Sequence, residues 1–455
     1  MYFIYSLLFT LGFVVLLPRF LFDAFSQGKY FAGFRERLGG LPAIRGDGRP
    51  VVWLHCVSVG ETQAARPLVE AIRRRFPDHL LAVSTVTLTG QRLAQQVFKD
   101  EAAGVFYFPF DWRWTVRRAL KAINPSVVLI METELWPGFL RECREQQIPV
   151  AIVNGRLSAT SFRRYRMIAG FISRVVRCLD VALMQTESDA GRMRSLGLEP
   201  NHVFVAGNLK FDAGAIPGAD SLTEDLRERF GFEDTVPVIL AASTHAPEER
   251  IMLEAFRQVA RSSGSQKPRL VIAPRHPERF AEVVSLLNAS PLRWVRRTDQ
   301  PSPKDSDSEV ILLDTIGELR SVFGLASIVF VGGSIAPHGG HNILEPAAVG
   351  ACIVTGAHTE NFKEIVSTFV EAESLVQLAP VTEIKAAREV ATVFSKLLND
   401  PLQAKTLGAR AKALVEQNRG ATERTVNLLT SILSIAPAAD ADERALAAQE
   451  GARSA

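Results

Sequence analysis

Two hydrophobic periodicities alternate along this chain. Unbroken apolar, β-rich runs stand at 51–56, 80–86, 105–110, 127–131, 150–153, 181–185 and 203–206. Between them, at 64–75, 89–99, 115–123, 138–147 and 162–178, apolar residues recur at helical spacing. Runs that are apolar throughout, not alternating, predict strands buried on both faces, hence a parallel sheet covered by helices. A stretch rich in Gly, Ala, Pro and Asp at 212–219 breaks the pattern, which then restarts. Strands are expected at 236–242, 269–273, 310–313, 328–331 and 352–355, helices from about 382 to 435, and a loose Ala-rich tail at 436–455. The fold class is therefore α/β: two Rossmann-like, doubly wound domains with a cleft between them, and ligands beyond the carboxyl ends of the strands.

The start of the chain follows neither pattern. Residues 1–17 carry no charge, and Pro18-Arg19 interrupt before Phe20-Leu21-Phe22. A bilayer helix needs roughly 20 apolar residues, so 1–22 reads as a membrane anchor or an interfacial helix. A cleaved signal peptide would have a basic stretch before the apolar run and a small-residue cleavage site after it, and both are missing. Arg19, Lys29, Arg35, Arg37 and Arg45 follow the run, which places the remainder in the cytoplasm. The expected domains are the anchor at 1–22, a first domain at 23–212, a second at 213–435 and the tail at 436–455.

Composition narrows the class. The chain has 455 residues, 47% hydrophobic and 22% charged, which excludes fibrous and disordered proteins. Cys56, Cys143, Cys178 and Cys352 stand far apart with no CxxC, so a disulfide framework or structural zinc is not expected. Net charge is +3, but residues 1–210 hold 27 Lys/Arg against 17 Asp/Glu, leaving 25 against 32 for the rest. A basic half is joined to an acidic half.

Candidate chemistry sits at strand ends. Glu61 follows the first strand in Val57-Ser58-Val59-Gly60-Glu61, where a glutamate ordinarily complements a helix dipole. As a general base it would also need desolvation, since a helix N-terminus lowers its pKa. Glu132 and Glu134 end the strand at 127–131, either as a solvated helix start or as functional carboxylates. Lys210 closes the first domain and is either a surface lysine or a partner for developing negative charge. In the second half, Arg275-His276-Pro277 follows a strand and suits a phosphate at a helix start. Asp314 to Leu319 form another strand-to-helix turn. Residues 331–347, VGGSIAPHGGHNILEPA, are a glycine-rich loop that lets backbone approach an anion, and Glu345 can meet ribose hydroxyls. The dinucleotide fingerprint GxGxxG and the P-loop GxxxxGK[ST] are both absent. No metal-binding signature and no His cluster is evident, so metal-independent chemistry is expected, with no cofactor and no nucleic-acid partner.

Taken in order, VSVGE (57–61), METELWP (131–137), GNLKFD (207–212), APRHPER (273–279), DTIGEL (314–319) and GGSIAPHGGHNILEP (332–346) resemble one family closely. It is the bacterial 3-deoxy-D-manno-octulosonic acid (Kdo) transferases, membrane-anchored inverting glycosyltransferases of the GT-B fold. The resemblance runs to about residue 430. It implies transfer of Kdo from CMP-Kdo to the lipid A precursor, a tetraacyldisaccharide 4'-phosphate (lipid IVA), in lipopolysaccharide core synthesis. Glu61 matches the family's general base, and Glu132 and Lys210 match transition-state stabilisers. Pro274 and Arg275, the turn Ile316, Gly317 and Glu318, and Asn342, Ile343, Leu344 and Glu345 match the CMP site. Glu134 is not separated from Glu132 by the motif, and His338 falls at a variable position with no role attached. Basic clusters Arg73-Arg74-Arg75, Arg117-Arg118 and Arg163-Arg164-Tyr165-Arg166 suit an anionic lipid acceptor. Two other readings compete: a different GT-B-like transferase or sugar epimerase, which needs neither the anchor nor VSVGE, and a membrane-tethered two-lobed solute-binding protein, which the basic flank disfavours.

Overall fold

The structure, a computed structural model, describes residues 1–27, 33–44, 48–213, 220–233, 235–262 and 267–434, with side chains in the first helix up to residue 16. The tail at 436–455, along with Arg19, Lys29 and Arg45 of the basic flank, lies outside the described side chains. Two compact units divide the chain. One spans Met1–Ala213 and resumes at Arg419, and the other is Gly214–Asn418.

The first unit holds seven parallel strands: β1 (Val51–His55), β2 (Leu80–Thr85), β3 (Gly104–Tyr107), β4 (Val127–Met131), β5 (Val150–Gly155), β6 (Val181–Met184) and β7 (Val203–Val205). Their order is β3-β2-β1-β4-β5-β6-β7, with every pairing parallel. Every residue of β1, β4 and β5 is buried, which is why their sequences read as unbroken apolar runs. Trp53 is fully buried at the centre of the sheet, where its indole N–H donates to Ser84 Oγ at 2.7 Å and Phe106 and Phe139 meet it edge-on. The strand order reverses between β1 and β4. A crevice opens there at the carboxyl ends of doubly wound sheets.

The N-terminal helix Tyr2–Gln27 lies along this unit. Tyr2, Tyr5, Phe9 and Phe13, at helical spacing, pack their rings on Phe110, Trp112 and Phe171. Phe3, Ile4, Leu7, Leu8, Leu11, Val14 and Val15 on the remaining faces stay exposed. Among the described residues no helix is long and apolar enough to cross a membrane. The segment expected to be an anchor is a helix docked by its aromatic face, and the structure does not show it as a membrane span.

The last helix, Ala421–Leu433, also belongs to the first unit, although its position in the chain suggested the second domain. Ala421, Val426, Leu429 and Leu433 form a buried stripe in the core that contains Leu68 and Ile72 of helix Val59–Arg75. The carboxylate of Asp212 accepts N–H bonds from Gly420 (2.8 Å) and Thr422 (2.6 Å) and so caps the returning helix.

The second unit repeats the architecture with β8 (Val238–Thr244), β9 (Arg269–Pro274), β10 (Trp294–Arg296), β11 (Val310–Leu312), β12 (Ile328–Val331), β13 (Cys352–Thr355) and β14 (Val376–Gln377). The order is β10-β11-β9-β8-β12-β13-β14, all parallel, and it reverses between β8 and β12. β10 and β14 are the two edges. At three and two residues they are too short to leave a hydrophobic signature, and the sequence pattern missed both.

Candidate active site

In the first unit the site residues gather at the reversal point. Helix Val59–Arg75 begins directly after β1, with Ser58 as its N-cap in extended conformation. Glu61 at the third helical position folds its carboxylate back onto this turn. Oε2 accepts the Val57 N–H at 2.8 Å and Oε1 accepts the Ser58 hydroxyl at 3.0 Å. The residue is buried, only 7% exposed. Burial is the main force raising its pKa to about 7, aided by the charges of Glu132 and Glu134 and opposed by the Val57 and Ser58 bonds. The desolvation a useful base requires is thus in place, and at neutral pH the group is poised to take a proton.

Glu132 leaves β4 on the other side of the reversal, with its N–H on Val153 O at 3.0 Å and φ at +55°. A left-handed glutamate is strained by about 1 kcal/mol or more. Its Oε1 lies 3.5 Å from Lys210 Nζ. Lys210 is carried by a turn that Asn154 holds: Asn154, next to last in β5, has φ +53°, and its Oδ1 accepts the Leu209 N–H at 3.0 Å. Burial raises the Glu134 pKa, with the Glu132 charge adding to it, and Glu134 in turn raises Tyr165 after that residue's own burial. The structure therefore brings Glu61, Glu132, Glu134 and Lys210 into one electrostatic neighbourhood. Asn154 was missed, and an asparagine near the end of a strand in the left-handed region was its only local signal.

A second missed residue is the carboxylate Asp111. Its two oxygens accept the Gly138 and Phe139 N–H groups at the start of helix Pro137–Glu145 (2.8 and 2.6 Å), and Oδ2 also accepts the Tyr5 hydroxyl at 2.7 Å. Burial raises its pKa to about 6 against these three bonds. Asp111 ties the N-terminal helix to the body of the unit.

In the second unit the glycine-rich loop leaves β12 and is held by a carboxylate the sequence reading passed over. Glu248, fully buried at the start of helix Glu248–Ser262, accepts N–H bonds from Gly333, Ser334, Ile335 and Ala336 at 2.7 to 3.3 Å, and from His245 at 3.0 Å. Burial pushes its pKa up and these donors pull it back. Gly332 has no room for a side chain: a Cβ there would sit 2.6 Å from Ser243 O and 2.8 Å from a Glu248 oxygen. The loop is thus a preformed backbone cradle.

Of the residues expected at a nucleotide, Pro274 ends β9 and Arg275 follows it, Ile316, Gly317 and Glu318 follow β11, and Asn342 to Glu345 follow β12. All stand at carboxyl ends of strands. Arg275 is exposed, as is Ile316, and Gly317 has φ +94°. Ile343 and Leu344 are core residues with buried side chains, so only their backbone remains for a ligand. Glu345 already binds Arg320 (3.2 Å) and the Asn342 amide (3.1 Å), and Glu318 binds Arg297 and Thr315. Ribose hydroxyls would have to share these carboxylates with their present partners.

The expectation of no histidine cluster is corrected. His245 Nε2 lies 2.8 Å from His341 Nε2, the His338 ring stacks on His245 at 4.1 Å, and His276 meets it edge-on at 5.2 Å. These histidines are scattered over almost 100 positions, and only folding unites them. No group of three or more metal-ligating side chains is arranged to hold an ion among the described residues.

Two parallel α/β units with a reversal of strand order in each are the architecture of the GT-B fold. UDP-GlcNAc 2-epimerase from Neisseria meningitidis shares the fold, with a TM-score of 0.53 at 14% identity over 84% of this chain and all of that one. The family model for 3-deoxy-D-manno-octulosonic-acid transferase (kdotransferase) matches residues 32–213. A 3-deoxy-D-manno-octulosonic acid transferase of Haemophilus influenzae is 32% identical over 84% of this chain and 87% of its own length. The solved C-terminal CMP-Kdo binding domain of WaaA from Acinetobacter baumannii is 33% identical, covering 44% of this chain and 98% of that domain, with a TM-score of 0.39. The chain belongs to the Kdo transferase family: it is a glycosyltransferase of lipopolysaccharide biosynthesis.

Proposed function

We propose that the protein moves Kdo from CMP-Kdo to a hydroxyl of the lipid A precursor lipid IVA, with inversion and with Glu61 as general base. The observation that carries this reading is the burial of Glu61, which raises its pKa to about 7. A carboxylate so placed deprotonates a sugar hydroxyl as it attacks, and a single base is enough for an inverting displacement. Glu248 supports the choice by contrast. It occupies the corresponding turn after β8, but its oxygens are filled by five backbone donors, whereas Glu61 accepts one backbone N–H and one hydroxyl.

The division of labour follows from charge. CMP departs as a phosphate monoester, and Arg275 and Lys210 are the groups suited to its growing negative charge. Glu132 keeps Lys210 oriented. Pro274, Ile316, Gly317, Glu318 and the segment Asn342, Ile343, Leu344, Glu345 form the nucleotide site, with backbone contributions from Ile343 and Leu344. The acceptor is anionic and acylated, so it lies at a membrane surface. The exposed aliphatic face of the N-terminal helix and the basic clusters of the first unit suit that surface, with the enzyme on the cytoplasmic side of the inner membrane. Replacing Glu61 by Gln and following both transfer and CMP-Kdo binding tests the assignment: transfer is lost and binding remains.

A further inference from the structure

His245 and His341 approach through their Nε2 atoms at 2.8 Å, with rings 8° from parallel. Burial and neighbouring cationic or titratable groups lower both pKa values to about 4. Those groups are His338, His341, His276 and Arg279 around His245, and Arg275, His276 and His338 around His341. The Glu248 carboxylate beneath the pair is occupied by backbone donors. Both imidazoles are therefore neutral at physiological pH, each with one N–H and one lone pair. One proton lies on the shared Nε2–Nε2 axis. If His245 donates it, His341 carries its own proton on Nδ1. If His341 donates it, Nδ1 of His341 is a bare lone pair. The two arrangements present opposite faces to a ligand.

The loop is shaped around this pair. Gly333 has φ +67°, and a Cβ there would lie 3.0 Å from both Cδ2 and Nε2 of His341 and 3.5 Å from Cδ2 of His245. Its N–H is anchored on Glu248 and its carbonyl accepts the Gly340 N–H at 2.8 Å. Any side chain at 333 would push the rings apart, so the same glycine serves the cradle and the histidine pair. His341 is half-buried, feels the Arg275 charge and directly precedes Asn342.

We propose that His245 is a positioning residue: by donating its Nε2–H to His341 it holds His341 as the Nδ1–H tautomer, which donates to an anionic phosphate oxygen of the bound nucleotide beside Arg275. The inference rests on the reading that the second unit binds CMP-Kdo. An anion met by Arg275 selects this tautomer, because the alternative turns a lone pair toward negative charge. No proton leaves the pair in this role; it fixes which nitrogen donates.

The test uses the full chain titrated calorimetrically with CMP and with cytidine. His245→Ala is expected to weaken CMP about tenfold, the loss of one charge-assisted hydrogen bond, and to leave cytidine unchanged. In transfer assays the change falls on the donor KM, not on kcat. His245→Gln, whose amide N–H also reaches His341, restores most of the affinity. On the wild-type protein with selectively 15N-labelled histidine, long-range proton–nitrogen spectra with CMP bound are expected to find the His341 proton on Nδ1, assigned by its loss in His341→Gln. A His341 proton on Nε2 with CMP bound, or equal CMP affinity in wild type and His245→Ala, overturns the inference and leaves the donor reading standing. Failure of the wild type to bind CMP overturns the donor reading itself, and the inference with it.

Discussion

Lys210 Nζ stands 3.5 Å from Glu132 Oε1, each side chain about one-quarter exposed. Pairs as accessible as this stabilise a fold by about 0 to 1 kcal/mol. The relationship therefore matters for charge at the site more than for the fold. Lys210→Ala should leave the thermal midpoint nearly unchanged while lowering the transfer rate, and parallel unfolding and activity measurements check it.

Glu132 also acts on Glu61, raising its pKa through charge. Glu132→Gln removes that charge, so the Glu61 pKa falls. The acidic limb of the kcat/KM profile against pH should then move to lower pH. A limb that stays in place would separate the two carboxylates functionally.

Glu61 carries a cost in stability. Its folded pKa, about 7, lies above its unfolded value near 4.5, so the folded state favours the protonated form. Stability is undiminished below about pH 4.5 and declines as pH rises through the window to 7. Glu61→Gln, neutral throughout, should unfold at higher denaturant than wild type at pH 8, by up to about 3 kcal/mol. The two proteins should converge at pH 4.

Glu248 has the opposite character. Glu248→Ala would strand five buried N–H groups, a loss of about 3 kcal/mol or more. Urea unfolding should register it together with loss of CMP binding, whereas Glu61→Gln keeps CMP binding intact.

The N-terminal helix offers a separate check on the membrane assignment. Leu8 and Leu11 are exposed, at 61% and 59%. Charging them, as Leu8→Asp with Leu11→Asp, should release the protein from sedimenting anionic vesicles without altering its unfolding, because neither side chain packs on the body. Tyr5→Phe, by contrast, should lower stability by about 1 kcal/mol through the lost bond to Asp111.

What the sequence made legible follows from range. The strands were readable because a sheet covered on both faces needs continuous apolar runs, and β1, β4 and β5 are wholly buried. The turn at Ser58 to Glu61 was readable because its partners are three and four residues apart. The raised pKa of Glu61 was not, since burial comes from segments far along the chain. His245 and Glu248 were passed over for the same reason: each works on the glycine-rich loop almost 90 or more positions away. The last helix was given to the second domain because sequence order, not its apolar stripe, guided the division.

The account stands most directly on Glu61. Wild type and Glu61→Gln, incubated with CMP-Kdo and lipid IVA in vesicles, are compared by mass spectrometry of the products over time. The account predicts addition of Kdo by wild type and a rate lower by about 10² to 10⁴ in the variant, with CMP-Kdo binding unchanged. Transfer by Glu61→Gln at the wild-type rate would contradict it.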